Sequence, residues 1–304
     1  MLSGLLFVII PLVLGYLVKL KNTRYLARID ASCGQLVSVI LFLMGLSLAK
    51  MDQLGQNLAQ MLQIAGILFI CISGCNLLAL PLLDKNWNTQ VATQKAKLPF
   101  KAMLIGSGKL ILAVALGLGA GLIVRSIWPG SLFWVDDASE WILLLLLLLI
   151  GISLRNSAMS LKQILLNAKG MKLALVVVLS SLPGGLLAAW WLDLPWNQGL
   201  AMASGFGWYS LTGILVTDYL GPVLGGGAFL NELLREMVAI MLIPLLIARY
   251  PATSVGFAGA TAMDFTLPVI QQSGGNSLVP TAIVSGFILS LLVPVFVTFF
   301  LTLS

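Results

Sequence analysis

Histidine is missing from all 304 residues, and charged side chains make up only 9% of them. The first absence excludes Ser–His catalysis, histidine-ligated metal and imidazole proton relays. Any group that passes a proton here has to be a carboxylate. Cysteine is scarce as well, with three in the chain. Cys71 and Cys75, four apart on an apolar stretch, share a helix face but have no histidine to complete a metal site, so they read as packing residues. The poverty of charge excludes an ordinary soluble domain, where about 25% would be charged. No polar stretch outruns the segment from Asp84 to Lys101, so no separate soluble domain fits either.

What the chain has is apolar length. Hydrophobic residues make up 59% of it, and the mean hydropathy is +1.03. Apolar runs near 2–18, 34–49, 61–83, 104–124, 140–154, 172–192, 228–248 and 279–302 approach the roughly 20 residues that span a bilayer. The second and fifth are shorter and are expected to borrow polar flanks. The positive charges Lys19, Lys21, Arg24 and Arg28 follow the first run, and no cleavage pattern does. That run therefore reads as a span with the N-terminus outside.

Two further segments, 199–217 and 254–270, are short and glycine-broken, and the second carries Asp264. Each precedes an apolar run holding a similar proline motif, at Pro244 and Pro294. Short interrupted segments in matching positions of a duplicated membrane protein point to a transport site. Duplication is visible elsewhere. Gly15-Tyr16-Leu17-Val18-Lys19 returns as Gly121-Leu122-Ile123-Val124-Arg125, and Gly45-Leu46-Ser47-Leu48 as Gly151-Ile152-Ser153-Leu154, both 106 residues on. Later, Gly205, Ser210 and Thr212 align with Gly259, Asp264 and Thr266 at a spacing of 54.

The resulting expectation is an all-α polytopic membrane protein with about eight spanning helices and two re-entrant or broken-helix hairpins. Inverted three-helix repeats would occupy 1–104 and 105–196. Inverted hairpin-plus-helix repeats at 197–250 and 251–304 would form the transport core. With both termini outside, the inner loops collect Lys19, Lys21, Arg24, Arg28, Lys85, Lys95, Lys97, Lys101, Arg155, Lys162, Lys169 and Arg249. That asymmetry satisfies the positive-inside rule and accounts for the net charge of +6 without a nucleic-acid partner.

Few charges remain outside the loops, and a charge at a helix centre costs about 2.5–3.5 kcal/mol on insertion scales. Asp264, amid Gly259, Thr261, Thr266 and Pro268, is the leading candidate for cation or proton binding. Its bland alternative is a cap on a half-helix N-terminus. Glu232 and Glu236 share a face with Arg235 near the start of a helix expected from about 228. Glu232 is expected to pair with Arg235, leaving Glu236 for coupling, and Asn231 joins the cluster. The alternative is a self-neutralising group at a helix end. Asp52, in an outer loop, is a weaker candidate, and Lys109 is expected to snorkel to the inner surface. Tyr209, Ser210, Thr212 and Thr266 either bind substrate or satisfy hairpin backbone.

The runs FLMGLSLA (42–49), LAMASGFGWYSLTGIL (200–215) and ATAMDFTLPV (260–269), with Asn231-Glu232…Arg235-Glu236 and AIMLIP (239–244), are similar to the lysine exporter LysO family of bacterial inner-membrane proteins. The resemblance covers nearly the whole chain. It implies export of L-lysine and close analogues, driven by the proton motive force, with the family's intramembrane acids at Asp264, Glu236 and Asp52. It also implies a distant likeness to cation/proton antiporter folds. No cofactor is implied beyond a coupling proton or sodium ion. Rival readings are a sodium/proton antiporter or organic-ion carrier of the same fold. An intramembrane aspartyl protease fails because Asp264 has no second spanning aspartate.

Overall fold

The computed structural model describes residues 2–20, 22–50, 54–85, 87, 100–128, 131–156 and 167–303. Among them there is no strand. The helices are α1 (Leu2–Leu17), α2 (Thr23–Lys50), α3 (Leu54–Ala79), the single turn α4 (Pro81–Asp84), α5 (Phe100–Ile127), α6 (Val135–Asn156) and α7 (Ala168–Leu192). After these come α8 (Trp196–Ala203), α9 (Tyr209–Leu220), α10 (Pro222–Leu246), α11 (Pro251–Ala258), a 3-10 turn (Gly259–Met263), α12 (Leu267–Gly274) and α13 (Val279–Leu301).

Each of the apolar runs lies on a long helix. The two short ones do extend over polar flanks, α2 starting at Thr23 and α6 at Val135. Among the described residues, five helices are long and apolar enough to cross a membrane. The outer surface agrees, since Leu62, Ile70, Leu78, Trp190 and Leu245 are more than 60% exposed. An apolar surface on that scale belongs against lipid.

Helix contacts define two ends of the molecule. Gly226 and Gly227, early in α10, touch Met61 and Ile64, early in α3. At the opposite end Trp87, after α4, lies under Lys169 at the start of α7. Asp84 there accepts hydrogen bonds from the first residues of α11. The first end gathers the 193–195 turn, Gly221 and an exposed girdle of Trp128, Trp134, Trp141, Trp190, Trp191 and Trp196. The second gathers the basic residues Lys19, Arg24, Arg28, Lys85, Arg155, Lys169 and Arg249.

The repeated glycine motifs meet crosswise. Gly15 of α1 lies against Gly151 of α6, while Gly45 of α2 lies against Gly117 of α5 and Gly121 of α5 against Ala49. In the first two pairs a Cβ would strike the partner's backbone, and at Gly121 it would strike the Ala49 Cβ, so glycine is what lets the helices approach this closely. Each motif thus packs on the copy of the other motif.

One expectation needs correcting. The helix bearing Glu232, Arg235 and Glu236 begins at Pro222, not near 228, so the cluster sits mid-helix and not in its first turns. The Gly225-Gly226-Gly227 triplet looks like loop in sequence. In the fold it is helix, opened by Pro222 at its first position, and its missing side chains make room for Thr217, Met61 and Ile64.

Candidate functional site

The pairs α8/α9 and α11/α12 are each interrupted where they reach the middle of the molecule. Antiparallel contacts fix the depth of the first break. Gly199 lies beside Gly185 and Ala189 of α7, and Ala203 beside Gly185. The next residues therefore sit level with the centre of α7. α9 then runs back along α10, with Gly213 beside Phe229 and Thr217 beside Gly225. Both ends of 196–220 thus lie at the tryptophan-lined end. The second segment does the converse: α11 starts at Asp84 and α12 finishes with Gly274 beside Ile247, both at the basic end.

The two breaks touch. Ala260 donates its backbone N–H to the Phe206 carbonyl at 2.8 Å. Phe206 has φ 46, rare for a bulky residue, and Gly259 has φ 65 with ψ −134. A Cβ on Gly259 would collide with the Phe206 oxygen and approach Arg235 Nη2 at 2.7 Å. Glycine alone fits there.

Buried broken backbone must find partners away from water. Thr212 Oγ1 donates to Trp208 O at 2.8 Å and Thr261 Oγ1 to Ala258 O at 2.9 Å, while Thr266 Oγ1 lies 3.4 Å from Thr261 Oγ1. Arg235, about 1% exposed, donates from Nε to Phe257 O at 3.0 Å and from Nη2 to Gly256 O at 3.4 Å. Both carbonyls belong to the last turn of α11, the negative end of its dipole, and Gly256 O also accepts the Gly259 N–H. Its Nη1 stands 3.7 Å from Glu232 Oε2, and Asn231 Nδ2 donates to Glu232 Oε1 at 3.1 Å. Thr212, Thr266, Asn231, Glu232 and Arg235 therefore brace the crossing.

Beside it opens a cavity of about 380 Å³. Its polar wall is Tyr209, Ser210, Glu236, Thr261 and Asp264, and its apolar wall includes Val37, Leu146 and Leu211. Glu236 is about 1% exposed on α10, whereas Asp264 presents its carboxylate to the open space. Asp264 also takes the N–H of Phe265, so it caps locally while facing the cavity. Tyr209 lies within electrostatic reach of both carboxylates. The cavity walls on α2, α5 and α6 come from the halves of those helices nearer the basic end. The arrangement can hold a cation or a proton between two carboxylates, with hydroxyls close by.

Asp52 lies outside the described residues. Two features escaped sequence reading. Asp84 clamps the start of α11 through Ala252 N at 2.7 Å, Thr253 N at 3.1 Å and Thr253 Oγ1 at 2.6 Å. In sequence it is one more polar residue beside a basic loop. The apolar cavity wall from α2 and α6 was equally invisible, because those side chains look like any core.

Residues 111–301 match the family model described as Lysine exporter LysO. The chain is 50% identical over 301 residues to the protein named Lysine exporter LysO from Escherichia coli (strain K12), covering 99% of each. A relative from Haemophilus influenzae, whose description also concerns lysine export, is 42% identical over 192 residues, 63% of this chain and 96% of its own length. No solved structure matches the chain.

Proposed function

The chain belongs to the lysine exporter LysO family, and from that footing we propose that it carries L-lysine and close analogues out of the cytoplasm in exchange for protons. The observation that carries the mechanism is the cavity at the crossing, where Glu236 and Asp264 share one otherwise largely apolar space in a chain without histidine. A carboxylate there binds either a proton or an ammonium group, not both. Lysine entering from the cytoplasm displaces the proton, and a proton from the other side displaces lysine. Tyr209 and Ser210 supply hydroxyls that orient the amino acid, and the N-terminal end of α9 offers its dipole to the α-carboxylate.

In this reading the protein lies in the bacterial inner membrane with eight spans, and 196–220 and 251–274 are re-entrant hairpins from opposite faces. The contacts that return each segment to its starting end support that topology. The exchanged packing of the glycine motifs supports inverted repeats. The basic end faces the cytoplasm and the tryptophan girdle faces outward, as charge and aromatic placement favour. The cavity then opens inward, ready to load.

Proteoliposomes test it. Purified protein should move lysine faster under an imposed pH gradient. Flux indifferent to that gradient rejects proton exchange, and sodium movement without lysine movement favours a sodium/proton antiporter. In cells lacking their own exporter, Asp264→Asn and Glu236→Gln should each lower export at least tenfold, and full export by both would remove the site from consideration.

A further inference from the structure

A second cavity, of about 320 Å³, lies on the seam between α2, α6 and α9 that also walls the first. On each helix the two cavities are lined by residues three positions apart: Val37 and Ile40 on α2, Leu146 and Leu143 on α6, Leu211 and Ile214 on α9. Three residues of helix rise only about 4.5 Å. In every case the member serving the second cavity is the one nearer the tryptophan-lined end. Ile40, Leu143 and Ile214 are at most 3% exposed. One apolar layer therefore separates two spaces that approach the middle from opposite ends.

Beyond that layer the lining turns polar, with Ser47, Ser139, Thr217 and Asp218. The protons of two of these hydroxyls are already committed. Ser139 Oγ donates to Val135 O at 2.8 Å and Thr217 Oγ1 to Gly213 O at 2.7 Å. Each oxygen is left as an acceptor. Acceptor hydroxyls around a carboxylate suit an ammonium group, which carries three donors and no acceptor, and disfavour a carboxylate ligand.

We propose that this cavity is a second substrate site, an exit vestibule that takes the ammonium end of lysine at Asp218, Thr217 and Ser139 after it has passed the Ile40–Leu143–Ile214 layer. The proposal rests on the lysine-export reading above. The seam then gives one route with two binding stations and a single-layer gate, so alternating access requires only that α2, α6 and α9 part by about one turn's depth.

The test uses Ser47→Cys, which lines the cavity outside the proposed ammonium ligands, in sealed cells treated from outside with a membrane-impermeant, reversible cationic methanethiosulfonate. The chain without the added cysteine serves as the blank for Cys33, Cys71 and Cys75. Modification should stop lysine export, and a reductant should restore it. External lysine at twice its dissociation constant should slow modification about threefold. Protection should persist in the Asp264→Asn background and vanish with Asp218→Asn. Met44→Cys, on the same wall, should behave as Ser47→Cys does, guarding against a local folding defect. Equal modification with and without lysine, in a chain that exports lysine, overturns the vestibule alone. Protection that disappears with Asp264→Asn does so too, since it would then report the central site. An intact chain that moves no lysine before any reagent is added overturns the export reading and this proposal together.

Discussion

Gly259→Ala isolates the contact on which the site geometry depends. Gly259 holds φ 65 and ψ −134, a region open in practice only to glycine, so alanine there costs about 1–3 kcal/mol in backbone strain. Its Cβ would also strike the Phe206 carbonyl oxygen. Moving that oxygen away breaks the 2.8 Å bond from Ala260 N, worth about 0.5–1.5 kcal/mol. Arg235 Nη2, 2.7 Å from the same position, must shift as well, loosening its hold on Phe257 O and Gly256 O. The sum is on the order of 2–4 kcal/mol, about thirtyfold to several hundredfold in the folding equilibrium. Gly119, with nothing within 4 Å of a Cβ, is the control: alanine there should leave stability equal or raise it by about 0.5–1 kcal/mol. Thermal unfolding in detergent and lysine export in cells would both be read. Gly259→Ala should unfold well below the parent chain and lose export, while Gly119→Ala does neither. A Gly259→Ala chain matching the parent in both readouts would refute the reasoning, because the two breaks could not then be locked together through this residue.

Glu232→Gln alone leaves Arg235 as an uncompensated buried cation and should destabilise by about 3–5 kcal/mol, seen as a lower unfolding temperature. Adding Arg235→Met should recover part of that loss, and strictly additive losses would count against the pair. Asp84→Ala removes the acceptor for two backbone N–H groups and one hydroxyl at the start of α11. A loss of about 1–3 kcal/mol is expected, with Asp84→Asn intermediate. Glu236→Gln should lower lysine export at least tenfold with little change in unfolding temperature, since it faces the cavity and not the Arg235 pair. An unfolding shift as large as that of Glu232→Gln would make Glu236 structural.

The sequence pointed to the same charged residues, but it misjudged where three of them sit. Glu232, Arg235 and Glu236 read as the first turns of a helix because the Gly225-Gly226-Gly227 triplet looks like loop. The triplet is helical because its lack of side chains is what α3 and α9 pack against. That information belongs to α3 and α9, not to the triplet's own neighbourhood. The Asp84 clamp was hidden for the same reason, as its partners lie 168 and 169 residues away.

Composition and period alone determined that this is a helical membrane protein, since a chain this apolar has only lipid or its own core to face. The motif runs alone placed it among lysine exporters. The pairing of Glu232 with Arg235 was legible in the sequence and is found in the fold, but which side chains share a cavity was decided by the tertiary structure. So was the use of Phe206 and Gly259 as a hydrogen-bonded crossing. The physical reason is distance: a charge is defined by what stands within a few ångströms of it, and here those neighbours come from far along the chain.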